Sequence, residues 1–173
     1  MNEDLKFTFN NINEWLKFAE AKNAGLLALN AACLIGVIQA ESTFTKDILF
    51  FKGILLFLFC ISSCLCLYSI LPVINKWFRF YKKLDAQKFN TEKPNLNALY
   101  FGDISKLSSE QFIELFEFKH NVKLTIPEKD FGNQITNNAE ISWQKYKVFT
   151  CAVWLSYIAF VVAIAIVLIK SVF

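Results

Sequence analysis

VFTCAVWLSYIAFVVAIAIVLI, residues 148–169, decides the fold. It holds no charged side chain and lies between Lys147 and Lys170. About 20 apolar residues in a helix cross the hydrocarbon core of a bilayer. Only a helix or a closed barrel satisfies its backbone there, so this run reads as a membrane-spanning helix.

Working outward, two more runs have the same character. Residues 49–74 are broken only by Lys52 near their start, whose ammonium can snorkel to the nearby surface, and Pro72 closes the run. Ala24–Ala40 carries no charge and is the shortest of the three. The stretch before it, Ile12, Trp15, Leu16, Phe18 and Ala19 with Glu14, Lys17 and Glu20 opposite, is amphipathic. One helix over residues 10–40 is expected, capped by Asn10 or Asn11, with Trp15 and Lys22 at the headgroups. Asn30 and Gln39 lie inside this run, so a helix held within a bundle is the other reading of it.

The polar remainder sits between the second and third runs. Lys76, Trp77, Phe78, Arg79, Phe80, Tyr81, Lys82 and Lys83 mix cations with aromatics directly after a span, a pattern that holds anionic lipid heads. Residues 96–106 read as a structured loop. Ser108 with Gln111 three residues on gives a capping-box start, and the helix it opens, with Phe112, Leu115 and Phe116 on one face, should end near His120–Asn121. His120 is expected to be a solvated helix-end residue. Pro127, Glu128 and Asp130 mark another start. No strong stop follows before Phe173, and Gly132 weakens the helix without ending it, so the third span should continue a long polar helix.

Basic residues fix the expected orientation. Three precede the first span, two lie at the first turn (Lys46 and Lys52), twelve fall between Lys76 and Lys147, and Lys170 stands alone. That excess puts the amino terminus and the central segment in the cytoplasm and Phe173 outside. The expected architecture is an all-α membrane protein with three transmembrane helices and a small helical cytoplasmic region. Residues 1–74 form an amphipathic helix and transmembrane hairpin, 75–147 the cytoplasmic region, and 148–173 the third span.

Composition agrees. The chain has 173 residues, 55% of them hydrophobic, including 19 Phe, more apolar surface than a soluble domain of this size can hide. The first 22 residues include Glu3, Asp4, Glu14 and Glu20 with no uninterrupted apolar run, the wrong pattern for a cleavable signal peptide. A net charge of +3 is too small to suggest nucleic acid. Cys33, Cys60, Cys64, Cys66 and Cys151 all lie in apolar runs and read as small packed thiols, with no spacing that makes a metal site with the single His. No Gly-rich phosphate loop and no His-based triad is present, so neither an enzyme nor a resident cofactor is expected.

Four stretches resemble the Pycsar transmembrane effector family. They are Asn13–Asn30 (NEWLKFAEAKNAGLLALN), Leu71-Pro72, Leu99–Ile104 (LYFGDI), and Asp130–Gln134 (DFGNQ) followed by Lys145-Tyr146, all in family order. One departure is Glu20-Ala21-Lys22 at the membrane entry, where the family usually has Asp-x-Lys; the charge is kept one methylene further out. The resemblance implies a bacterial inner-membrane effector of anti-phage defence. A partner cyclase would make cCMP or cUMP, and the effector would respond by impairing the membrane, giving abortive infection. A constitutive membrane scaffold without a nucleotide ligand is the alternative.

Two sets of candidate residues follow. A cyclic mononucleotide needs a cation or amides, an aromatic platform and a hydroxyl acceptor. Tyr100, Phe101, Asp103 and Lys106 bring those types together, and Arg79 and Lys145 could add charge across a subunit boundary. The competing reading is a turn at Gly102-Asp103 with Tyr100-Phe101 plugging helices together. Ala24, Ala28, Ala32 and Gly36 make a ridge of small residues suited to close helix packing in lipid, either in a homo-oligomer or within the chain, with Asn30 as a hydrogen-bonding partner. Glu20 and Lys22 are the membrane-entry charges.

Overall fold

The structure, a computed structural model, describes residues 2–40, 49–71 and 83–172. Pro72, Lys46 and the cation–aromatic run Lys76–Lys82, Arg79 included, fall outside them. The described residues are helical, without a strand: α1 Glu3–Gln39, α2 Leu49–Ile70, α3 Ala86–Glu92 followed by a 3₁₀ turn at Lys93–Asn95, α4 Phe101–Ile104, α5 Ser109–His120 and α6 Ile126–Val172. Three of them, α1, α2 and α6, are long and apolar enough to cross a membrane.

The helix ends explain the lengths. α1 begins seven residues before the expected start at Asn10, because Asn2 rather than Asn10 or Asn11 caps it: the Asn2 carboxamide oxygen accepts from the amides of Asp4 (2.9 Å) and Leu5 (3.4 Å). Glu3 and Asp4 add negative charge in the first turn. The Asn2 amide in turn donates to the Glu128 carboxylate at 2.6 Å, a partner 126 residues away that no local signal announces. Glu128 also takes the amide (3.0 Å) and hydroxyl (2.8 Å) of Thr125, closing the start of α6. α5 carries the expected capping box, with Gln111 N donating to Ser108 Oγ and Ser108 N to Gln111 Oε1. It ends on Asn121, which takes the left-handed conformation at φ 50°. α6 then runs to Val172 without a break.

The chain forms two compact units. The polar unit comprises residues 1–19 and 73–146, and the span unit residues 20–72 and 147–173; α1 and α6 contribute to both. The polar unit is cored by Leu5 and Ile12 of α1, Phe89 of α3, Phe101 and Ile104 of α4, Phe112, Leu115 and Phe116 of α5, and Ile135 and Ala139 of α6. Leu5, Thr8 and Ile12 recur at helical spacing on one face and are all fully buried. Gly132 sits where α6 meets α5, since a Cβ there would stand 3.0 Å from Ile113. His120 is not simply solvated: its ring stacks on Phe116 at 4.3 Å and its Nδ1 lies 3.2 Å from Asp4 Oδ2.

In the span unit, Leu55 and Phe59 of α2 pack with Ala159 and Ile166 of α6 and with Cys33, Leu34 and Val37 of α1. Phe59 meets Phe160 edge-on at 5.5 Å. Lys52, expected to snorkel, donates to the Ile38 carbonyl in the last turn of α1 at 3.3 Å. α1 and α2 therefore run antiparallel, with Ile38 beside Lys52 and Asn30 beside Ser62.

Candidate functional site

The Leu99–Ile104 motif forms a tight turn into α4, and its parts have separate tasks. Phe101 points inward and is 5% exposed. Its ring stacks on Tyr146 at 5.1 Å and lies 5.3 Å from Trp15 and 6.2 Å from Trp143, so one side chain ties α4 to both α1 and α6. Trp15 is thus held in an aromatic cluster of the polar unit. Burial, followed by the neighbouring Tyr100 phenol, pushes the Tyr146 hydroxyl above its ordinary pKa. Gly102 leaves room for the Tyr100 ring folded over it: an added Cβ would lie 2.5 Å from Tyr100 Cε1, and the half-exposed ring would have to swing aside.

Asp103 closes the turn. One carboxylate oxygen accepts from the Asn97 amide (3.2 Å) and the other from Lys106 Nζ (2.9 Å). Lys83 fastens the far side, donating to the Leu107 carbonyl and to the Glu140 carboxylate of α6. The Leu84 amide bonds the Lys106 carbonyl at 2.8 Å, and Gln111 Nε2 bonds the Leu84 carbonyl at 3.0 Å. Of the residues expected to meet a ligand, Tyr100, Phe101, Asp103 and Lys106 are brought together. Phe101 is turned into the core, Asp103 and Lys106 face each other, and Tyr100 remains 41% exposed. Lys145 is buried on α6, next in sequence to Tyr146. Arg79 lies outside the described residues. A shallow groove of about 340 Å³ adjoins this turn, lined by Asn95–Leu99 with Lys119 and His120.

The span unit holds a second constellation. Asn30 Nδ2 donates to Ser62 Oγ at 2.8 Å, Ser62 Oγ donates to the Ala152 carbonyl at 2.8 Å, and Ser156 Oγ donates to Asn30 Oδ1 at 2.8 Å. The two serine hydroxyls are 2.9 Å apart. Asn30 and Ser62 are fully buried and Ser156 is 3% exposed. One ring of hydrogen bonds thus joins all three spans, each contributing a residue near the middle of its apolar run. Sequence reading identified Asn30 as a hydrogen-bonding residue but not its partners. The available signal was spacing: Asn23 and Asn30 on α1, and Ser62 and Ser69 on α2, are each seven apart, and all four are buried.

The small-residue ridge lies elsewhere on α1. Ala24, Ala28, Ala32 and Gly36 are exposed on the chain, and a Cβ on Gly36 would meet nothing within 4 Å. Asn30 is therefore off the ridge, on the face turned to α2 and α6. At the membrane entry, Lys22 stands 5.7 Å over the Phe149 ring, while Glu20 is exposed. Among the described residues no group of His, Cys, Asp or Glu could hold a metal ion.

Comparison with curated proteins and with solved structures returns no match to the chain. A family described as the Pycsar effector protein domain matches residues 4–170, which takes in the described parts of both units almost entirely. The motifs that carry the earlier resemblance all fall inside that match, on a three-span helical membrane protein, and the chain belongs to the Pycsar effector family, the effectors of cyclic-nucleotide anti-phage defence.

Proposed function

We propose that this effector binds a cyclic pyrimidine mononucleotide, cCMP or cUMP, through its polar unit and impairs the bacterial inner membrane through its span unit, causing abortive infection. The observation that carries this reading is the family match across residues 4–170, which covers polar and membrane-spanning segments together. The chain acts here as a binding and membrane-active protein rather than an enzyme. Its partners are the lipid bilayer, the nucleotide supplied by a cyclase, and further copies of itself. The basic-residue distribution supports an amino terminus and polar unit in the cytoplasm and a carboxyl terminus on the outer side.

Within the polar unit, the outer face of the turn is the part suited to a ligand. Tyr100 offers a half-exposed ring, and Asp103 and Lys106 a carboxylate and an ammonium that can exchange partners; Arg79 and Lys145 are the cations that a neighbouring copy would add across a subunit boundary. Phe101 serves this face as an inward wedge. The test is purified full-length protein titrated with cCMP and cUMP, alongside membrane potential in cells expressing it with and without each nucleotide. Binding of one of them and a nucleotide-dependent collapse of potential are expected. Collapse that ignores nucleotide, or binding of neither, overturns the reading.

A further inference from the structure

The geometry points to Asn30, Ser62 and Ser156 as the place where water enters the span unit, so that separation of the three helices and hydration of their interior are one event. This inference rests on the proposed membrane-impairing role and assigns it a site and a permeant class: water and the small ions that follow it.

The argument begins with what hydrocarbon allows. A polar group without a partner in the bilayer core costs several kcal/mol. A serine in a helix can fall back on the carbonyl one turn earlier: the Ser156 hydroxyl lies 3.2 Å from the Ala152 carbonyl, which could take its proton in place of Asn30. Asn30 has no such local substitute for both ends of its carboxamide. Its donor is taken by Ser62 and its acceptor by Ser156, from two other helices. Pulling α1 away from α2 and α6 therefore strands the carboxamide unless water replaces the hydroxyls. The dry, closed arrangement and a wetted, separated one are the two satisfied states.

Polar character is also distributed unevenly along the unit. Asn23 lies one heptad before Asn30 on α1, and Ser69 one heptad after Ser62 on α2. Because these helices are antiparallel, both extend the same buried stripe toward the end where residues 20, 71 and 147 lie. Beyond Asn30 the interior turns apolar, with Leu34, Val37, Leu55, Phe59 and Ile166 closing it. A stripe of buried polar side chains set among apolar ones such as Cys66 and Ala152 and ending in an apolar plug suits a pore that closes by dewetting.

The test is release of potassium ions from liposomes holding the purified full-length protein, with and without cCMP and cUMP. Ser62→Ala with Ser156→Ala leaves Asn30 stranded and should raise release without nucleotide by roughly 3- to 30-fold, the range carried by one interhelical hydrogen bond in a membrane. Asn30→Leu removes the group that demands water and should lower nucleotide-stimulated release by a similar factor. Ser62→Ala with Ser156→Thr, which keeps one hydroxyl, should return basal release toward that of the unaltered protein. Unchanged basal release in the double alanine variant, or full stimulated release in Asn30→Leu, overturns the inference. If the double alanine variant does not insert, the Asn30→Leu result decides. If the unaltered protein releases no potassium with either nucleotide, the proposed trigger fails, while basal release from the double alanine variant still decides the role of Asn30.

Discussion

Lys83 and Glu140 meet across the polar unit, and the same ammonium also donates to the Leu107 carbonyl, so one side chain joins residue 83, the end of the 100–107 turn and the polar part of α6. Glu140 is only 9% exposed. Removing this ammonium takes a charged partner from a largely buried carboxylate, and that penalty exceeds the worth of the pair itself. Lys83→Met should destabilise the polar unit by about 1–3 kcal/mol. Lys83→Met with Glu140→Leu should recover much of the loss. Thermal unfolding followed through Trp15 and Trp143, which flank Phe101, measures both; equal losses in the single and double variants would remove the pair from the account.

The Tyr100–Gly102 approach makes a second prediction. Gly102→Ala places a methyl where the half-exposed Tyr100 ring lies; the ring should swing outward, and the steric cost, offset in part by the better helix preference of alanine, should be about 1 kcal/mol or less. With Tyr100→Ala in the background the cost should nearly vanish. Phe101→Ala should cost more, about 3–5 kcal/mol, because a buried aromatic shared by α1, α4 and α6 is removed. Asp103→Asn keeps an acceptor for the Asn97 amide and should be mild by comparison. A Phe101→Ala protein as stable as Asp103→Asn would contradict the wedge.

Acid should loosen the seam between the two helix starts. Two groups of Thr125, its amide first and then its hydroxyl, together with the Asn2 amide, hold the Glu128 carboxyl below its ordinary pKa. A carboxyl depressed in the folded state contributes stability above its unfolded pKa and loses it as pH falls through the folded value. Glu110 is shifted the same way by its own amide and the Ser108 hydroxyl. The polar unit should therefore lose stability below the ordinary glutamate range. Glu128→Gln should flatten that part of the pH profile and lower stability at neutral pH. A variant with an unchanged acid profile would show that the Glu128 contacts carry no pH dependence.

The exposed ridge on α1 is open to a direct trial. Ala28→Leu with Ala32→Leu adds bulk to a face that the chain leaves uncovered, so insertion and thermal stability should match the unaltered protein. If copies meet along this ridge, cross-linking in the membrane and toxicity should both fall. Full toxicity in the double variant would remove the ridge from the mechanism.

Local chemistry made much of this protein legible in advance. Ser108-x-x-Gln111 set the start of α5, Asn121 its end, and the unbroken run after Pro127 the length of α6, because caps and apolar continuity act over a few residues. The start of α1 was misplaced because its cap, Asn2, is fixed by Glu128 from the far end of the chain. The 96–106 segment read as a loop because α4 is a single turn whose stability comes from Phe101, Asp103 and Lys83 rather than from helix propensity. Asn30 was visible as a polar residue in lipid. Its assignment to the small-residue ridge failed because helical phase puts Ala24, Ala28 and Ala32 on the opposite side from the face that meets Ser62 and Ser156.

The Asn30 ring also constrains biogenesis. The first span leaves the ribosome with Asn30 still lacking both of its partners, Ser62 and Ser156. Ser62 follows about 30 residues later, and Ser156 only when the chain is nearly finished. At 5–20 residues per second, the wait for Ser156 lasts on the order of ten seconds. During that interval the first span is a marginal passenger of the bilayer, best retained beside the insertion machinery until the hairpin with α2 has formed. Quality control therefore has a natural window in which to discard copies whose third span is damaged, before a half-satisfied polar stripe is released into the membrane of an uninfected cell.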